Sequence, residues 1–476
     1  MRLFVTTLLI LASGCSEWNL FGWGKDTQPP LDSGGGEACE PGVVTLDQGE
    51  RVSLYQGSHY EPTEDNFGAV IVPGRRDGAP AIWVANVGYG HSEVYLLGQD
   101  DLSDPMPSSM QPLIVDGGQA EWFTASYGAL TTAPGAEGEA LWLFAGLDDD
   151  RDAWFLFDSP PARNTSIWEA DTVIEKDGGL DNGTEMFFGD LDGDGLDDAG
   201  MRYTDSYSFF LAPLAPYYDW RDDVDHDIPV DEDLDHHLQF PCVVMDVSLD
   251  GHNDLVCQGT THEDRDSHTM LGVYLGPLTQ RDQLAAADIS FTQDGQGGGG
   301  GAMFYGGLVT SLHDAGDLTG DGRADVVVSS TGGPAGEEEL RTVFVFDDFR
   351  EGVWSSEDTA AAILVSPDFE DGQNWEQVAQ PAGDINGDGV NDLLVSPAAR
   401  REGALTVWIV PGPLEGEIAL EESETRFEHS FDPAPPLLLW YPIPDLDGDG
   451  TNEFVVSQWS YDQASFFHLF RGCEHW

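Results

Sequence analysis

Lysine is nearly missing from this 476-residue chain, occurring only as Lys25 and Lys176. With arginine it gives 19 basic residues against 87 acidic ones, a formal net charge of −68. Such a surface repels phosphate backbones, which argues against nucleic-acid binding. Long apolar runs are also missing: beyond the N-terminus none approaches the roughly 18 residues that a membrane-crossing helix needs. Helical periodicity is scarce, and only Gln283–Ala287 and Glu357–Leu364 read as a turn or two of helix. What is present instead is turn chemistry, with 57 glycines and 28 prolines. Hydrophobic residues at 40% and aromatics at 11% are enough to build a core, so wholesale disorder is excluded.

The familiar catalytic signatures are absent as well. There is no Gly-x-Ser-x-Gly elbow, no phosphate loop ending in Gly-Lys-Ser/Thr and no His-Glu-x-x-His. His262-Glu263 continues as Asp264-Arg265-Asp266, which breaks the zinc-protease pattern. The stretch Asp222–His237, with His226, His236 and His237 among many acids, reads as a solvated loop rather than a metal site.

The N-terminus stands apart. Met1-Arg2 leads into the apolar run Leu3–Ala12 and then Ser13-Gly14-Cys15, a run too short to span a bilayer but suited to a signal peptide. Leu11-Ala12-Ser13-Gly14-Cys15 resembles the bacterial lipoprotein cleavage signal. The resemblance implies removal of residues 1–14, lipidation of Cys15 and export to the cell envelope, with the outer membrane as the expected anchor site. Residues 15–38, rich in Gly, Pro, Asp and Ser, form a flexible tether, and the folded domain spans 39–476.

Cysteine usage fits an oxidising compartment. With Cys15 lipidated, Cys39, Cys242, Cys257 and Cys473 remain, an even number that permits three pairings. Their positions favour Cys39–Cys473, which would join the two ends of the domain, and Cys242–Cys257, which bracket a single loop.

The acids are not scattered. Five segments place oxygen side chains at positions 1, 3, 5 and 9 with glycine at 6. They are Asp190, Asp192, Asp194 and Asp198; Asp246, Ser248, Asp250 and Asp254; Asp317, Thr319, Asp321 and Asp325; Asp384, Asn386, Asp388 and Asp392; and Asp445, Asp447, Asp449 and Glu453. Alternate side chains of such a tight loop converge, which is what a hard, oxygen-seeking cation requires. An EF-hand also needs an acid at position 12 followed by a helix. Position 12 is Met201, Cys257, Val328, Val395 and Val456, and strand-like runs follow, so that reading fails.

The loops start at 190, 246, 317, 384 and 445, a step near 60 residues that suits one four-stranded propeller blade each. Two degenerate starts lacking the acids precede them, Pro73–Gly78 before Ala81–Val84 and Ala133–Gly138 before Leu141–Phe144. Seven starts over residues 39–476 give about 63 residues per blade, and the fold class expected is an all-β, seven-bladed β-propeller. Closing the ring calls for an N-terminal strand, Val43–Leu46 or Val52–Tyr55, beside Phe466–Phe470.

The stretch Val378–Val395, together with Phe67-Gly68-Ala69-Val70, resembles the FG-GAP repeat of the integrin α-subunit propeller. The resemblance implies Ca²⁺ in the five loops, held by the residues at positions 1, 3, 5 and 9. The reading that follows is a calcium-binding, lipid-anchored envelope propeller that binds a protein or glycan. An envelope enzyme acting on polysaccharide from the central depression, or a structural envelope component, are the alternatives.

Overall fold

The apolar runs after each turn are apolar throughout because both of their faces are buried. In Val326-Val327-Val328, the outer two side chains pack toward the preceding blade and the middle one toward the next. Leu393-Leu394-Val395 and Phe454-Val455-Val456 divide in the same way. Side chains alternate with period two along a strand, so one short run supplies core to both seams.

In the computed structural model the described residues are 43–473, except 46–47, 54–64, 89–90, 103–109, 116–119, 133–138, 148–150, 160, 177–185, 203–205, 221, 230–238, 259–266, 282–286, 295–308, 331–341, 366–376, 398–403, 421–422, 424, 431–436 and 460–465. The signal segment, Cys15, the tether and Cys39 lie outside them.

Seven antiparallel sheets follow one another along the chain. Blade one runs Asp65–Arg76, Ala79–Gly88, His91–Leu97 and Ile114–Val115, and blade two runs Ala120–Thr132, Glu139–Leu147, Arg151–Phe157 and Thr172–Lys176. Blade three holds Met186–Gly189, Asp198–Arg202, Ser206–Phe210 and His226–Pro229; blade four holds Gln239–Met245, Asp254–Gln258, Ser267–Tyr274 and Ile289–Asp294. Blade five holds Val309–Asp314, Val326–Ser330, Thr342–Phe346 and Ala362–Val365; blade six holds Gln377–Gly383, Asp392–Pro397, Ala404–Val410 and Thr425–Ser430. Blade seven takes Leu437–Ile443, Glu453–Trp459 and Phe466–Phe470 from the C-terminus and its outer strand, Glu50–Ser53, from the N-terminus.

The innermost strand of each blade touches that of the next, and blade seven touches blade one. Each of the seven seams holds its own apolar cluster. At the closing seam, Val52 and Phe467 pack with Ile82, Val84 and Val455. The expected seven-bladed propeller is therefore the observed architecture.

Closure uses both candidate N-terminal segments, but not as alternatives. Glu50–Ser53 pairs antiparallel with Phe466–Leu469 and completes blade seven. Val43–Thr45 pairs in parallel with Arg426–Glu428 on the outer edge of blade six. The same device recurs where Thr165–Ser166, Tyr217–Asp219, Gly352–Ser355 and Gly416–Ala419 each add a parallel strand to the blade before their own. These short pieces cover outer edges that would otherwise present unpaired backbone groups. Of the turn or two of helix expected in Glu357–Leu364, one is present and the segment ends in strand. A single turn, Ser356–Thr359, ends before the strand Ala362–Val365, whose alternation buries Ala362 and Leu364.

Phe454 makes the seam argument testable, because its buried ring stacks on Phe470 at 4.8 Å between centroids. Phe454→Ala is expected to cost about 3–5 kcal/mol, read as a lowered denaturant midpoint with little change in slope.

Candidate metal centre

Each acidic segment links the first and second strands of its blade, so all five emerge at the same end of the sheets, on one face of the ring. Blade one shows what replaces such a loop. There Asp77 and Gly78, both with positive φ (55° and 80°), make a two-residue turn between strands of 12 and 10 residues. A turn that tight needs no ligand. The corresponding link of blade two, 133–138, lies outside the described residues.

The five loops share one bonding scheme. The first carboxylate accepts backbone N–H groups from positions 5 and 6, as Asp190 does from Asp194 at 3.0 Å and Gly195 at 2.8 Å. Asp246, Asp317, Asp384 and Asp445 repeat this. The fifth-position carboxylate accepts from position 7, from Leu196, His252, Arg323, Val390 and Thr451 in turn. Positions 4 and 6 are left-handed, which is why glycine holds nine of those ten places. The tenth is Leu249, at φ 61° and well exposed.

The ninth position behaves differently from the rest. Asp198, Asp254, Asp325, Asp392 and Glu453 are all buried. One oxygen of each accepts the N–H of position 2: Leu191, Val247, Leu318, Ile385 and Leu446. In Asp198, Asp254 and Asp392 the other oxygen accepts an N–H from the exit of the third strand, at Ala212, Gly276 and Gly412. Burial is the leading cause that raises these groups, to about 6 for Asp198 and Asp325 and about 7 for Asp392 and Glu453. Nearby loop acids, such as Asp192 and Asp194 beside Asp198, push in the same direction.

Two loops bring three acids together. Oxygens of Asp190, Asp192 and Asp194 lie within 4.8 Å of one another, as do oxygens of Asp445, Asp447 and Glu453. Asp198 stays out of the first trio, since backbone N–H groups occupy both of its oxygens. Asp449 stays out of the second. In the other three loops position 3 is not an acid, and its side chain donates to the acids around it. Ser248 bonds Asp246 at 3.4 Å, Thr319 bonds Asp325 at 3.5 Å, and Asn386 bonds Asp388 at 3.3 Å. The side chains at positions 1, 3, 5 and 9 all offer oxygens, Asn386 through its amide carbonyl, and oxygen ligands suit a hard divalent cation. Glu453 Oε1 is buried beside Asp445 and Asp447 and accepts no hydrogen bond, and the nearest positive charge among the described residues is Arg471 Nη1 at 3.6 Å.

The predicted Cys242–Cys257 bond is present. It links opposed residues of the first two strands of blade four and staples the hairpin whose loop has the poorest ligands. Cys473 is buried, with its backbone N–H donating to the Ile385 carbonyl at 2.7 Å, and its expected partner Cys39 lies outside the described residues. His226 sits in the outer strand of blade three with its ring stacked on Phe209, while His236 and His237 lie outside the described residues.

One set of contacts escaped the spacing argument. Loops of neighbouring blades are stitched together: Asn391 N–H donates to the Asp317 carbonyl at 2.8 Å, and Asn452 N–H to that of Asp384 at 2.7 Å. The Asn391 amide also donates to the Ala315 carbonyl at 2.9 Å. Asparagine at position 8 in three of the five loops (Asn253, Asn391, Asn452) was the available signal.

No protein-family model matches the chain, and no curated protein does. Among solved structures, Drosophila Semaphorin 2a is 7% identical, with 92% of this chain and 78% of that one covered at a TM-score of 0.44. The Dos1 propeller is 9% identical over 82% of this chain and 76% of its own, with a TM-score of 0.37. The V. cholerae biofilm matrix protein Bap1 is 10% identical over 89% and 71%, at 0.29.

Two outcomes follow from the loop geometry. Leu249→Gly removes the left-handed strain at a cost in chain entropy, and a net gain of about 0.5–1 kcal/mol is expected in the unfolding free energy. The raised carboxylates fix a pH dependence. Their folded-state values exceed the unfolded ones, so the stability of the protonated form is complete below about pH 4 and is lost as pH rises through 6–7. In chelator, the thermal midpoint should therefore fall between pH 5 and pH 8.

Proposed function

We propose that the chain is a calcium-stabilised, lipid-anchored envelope propeller whose ring presents a binding surface for a protein or glycan. The observation that carries the calcium reading is the burial of a ninth-position carboxylate in all five loops, next to further acids that oppose its ionisation. A divalent ion turns that repulsion into a cross-link between the ends of the loop.

The residues at positions 1, 3, 5 and 9 of each loop would hold the ion, as in the FG-GAP loops that the sequence resembles. Asp190, Asp192 and Asp194 are the best arranged for it, with three converging oxygens. The ion's role is structural. Extracellular-type sites bind at roughly 10⁻⁴ to 10⁻³ M, and at ten times Kd each adds about 1.4 kcal/mol. Several filled loops would contribute as much as the whole stability of an ordinary domain.

The binding role rests on architecture. A closed ring of rigid sheets carries its variable connections on two faces, and those connections can change without disturbing the seams. The anchor reading rests on Leu11–Cys15 and on the even number of remaining cysteines, one pair of which is bonded.

Thermal unfolding of the full-length protein tests the calcium reading. Millimolar Ca²⁺ is expected to raise the midpoint by several degrees over chelator, more at pH 8 than at pH 5, and Asp190→Asn/Asp192→Asn to remove part of the rise. A midpoint indifferent to Ca²⁺ at both pH values would refute it. For the anchor, Cys15→Ala is expected to move the protein from the membrane fraction to the soluble one on expression in a bacterium.

A further inference from the structure

The five loops are not equally in need of an ion, and the difference lies in one arginine. Arg471 leaves the third strand of blade seven at the place that Leu211, Leu275, Asp347 and Pro411 occupy in blades three to six. Its Nη1 donates to Asp447 Oδ2 at 2.8 Å and lies 3.6 Å from Glu453 Oε1. The same nitrogen reaches Gln99 of blade one at 3.1 Å, and Nη2 reaches Glu50 of the N-terminal closing strand at 3.2 Å. One guanidinium thus joins a loop, the closing strand and the neighbouring blade.

Glu453 explains why the arrangement belongs to this loop. Aspartate stands at position 9 in the other four, and in three of them its second oxygen is taken by the exit N–H. The longer glutamate keeps the bond to Leu446 N–H, and its buried second oxygen lies on the side of Arg471 and the loop acids. Among the described residues, no basic side chain bonds the ligand positions of the loops at 190, 246 or 384. At 317, Arg323 pairs with Asp321 on the exposed rim.

We propose that Arg471 is the resident cation of the seventh loop. It neutralises Asp447 and Glu453 in the metal-free chain and holds the ring's closing seam together without a metal. A divalent ion enters this loop only by displacing it. Resting on the reading that the loops bind calcium, this makes the seventh loop the weakest of the carboxylate-rich sites. It also makes closure of the ring independent of calcium supply, so depletion loosens individual loops while the circle stays shut.

Calcium uptake by the full-length protein, measured by calorimetry and equilibrium dialysis, tests this alongside thermal unfolding in chelator. Arg471→Gln is expected to bind one more ion per chain than wild type at the same free calcium, with at least about tenfold tighter binding at this loop. Its midpoint in chelator should drop by several degrees and return with calcium. Arg471→Lys, which keeps the charge, should retain wild-type uptake, and Arg471→Gln/Glu453→Gln should lose the extra ion. Unchanged uptake in Arg471→Gln, or an unchanged midpoint in chelator, overturns the proposal. A wild type that binds no calcium at all refutes the reading of the loops instead, and the chelator midpoint then decides on Arg471.

Discussion

A carboxylate buried beside other carboxylates is the constraint around which this molecule is organised. Taking an acid out of water is costly unless hydrogen bonds or an opposite charge compensate it. Asp198 and its counterparts receive backbone N–H groups, yet burial still raises all five above the ordinary carboxylate range, Asp198 to about 6 and Asp392 to about 7. They sit at the base of the hairpins that begin five consecutive blades. Whatever relieves them acts on the geometry of the ring.

The chain secures the hairpins that carry them in more than one way. Blade four has a disulfide across the base of its hairpin, and blade seven has Arg471. Blade three brings three acids together, and among the described residues no basic side chain bonds them. Blade one avoids the problem with a two-residue turn. The loops are thus different ways of closing a hairpin, and a divalent ion is the proposed means where neither a disulfide nor a protein-borne charge is at hand.

Much of the fold was legible because its determinants are local. The Asp-x-Asp-Gly-Asp-Gly spacing marked the hairpins, the period between them counted the blades, and Cys242 and Cys257 flanked their loop symmetrically. What escaped was non-local. The parallel edge pieces, such as Thr165–Ser166 and Gly416–Ala419, are held by backbone bonds to the preceding blade, and their side chains carry no pattern. The strand at the end of Glu357–Leu364 was hidden for a related reason: Ala362–Val365 is held by its pairing with Thr342–Val345, which its own few residues do not announce. Arg471 was invisible in sequence because its partners, Glu50 and Gln99, are separated from it by 421 and 372 positions.

The central claim is that the acidic loops gather divalent ions. The most direct measurement is a crystal structure of the full-length protein grown in millimolar calcium. A compact density feature about 2.3–2.6 Å from the oxygens of Asp190, Asp192 and Asp194, with calcium's anomalous signal, is the predicted result. Ordered water alone between those carboxylates, with no anomalous signal in any of the five loops, would contradict it.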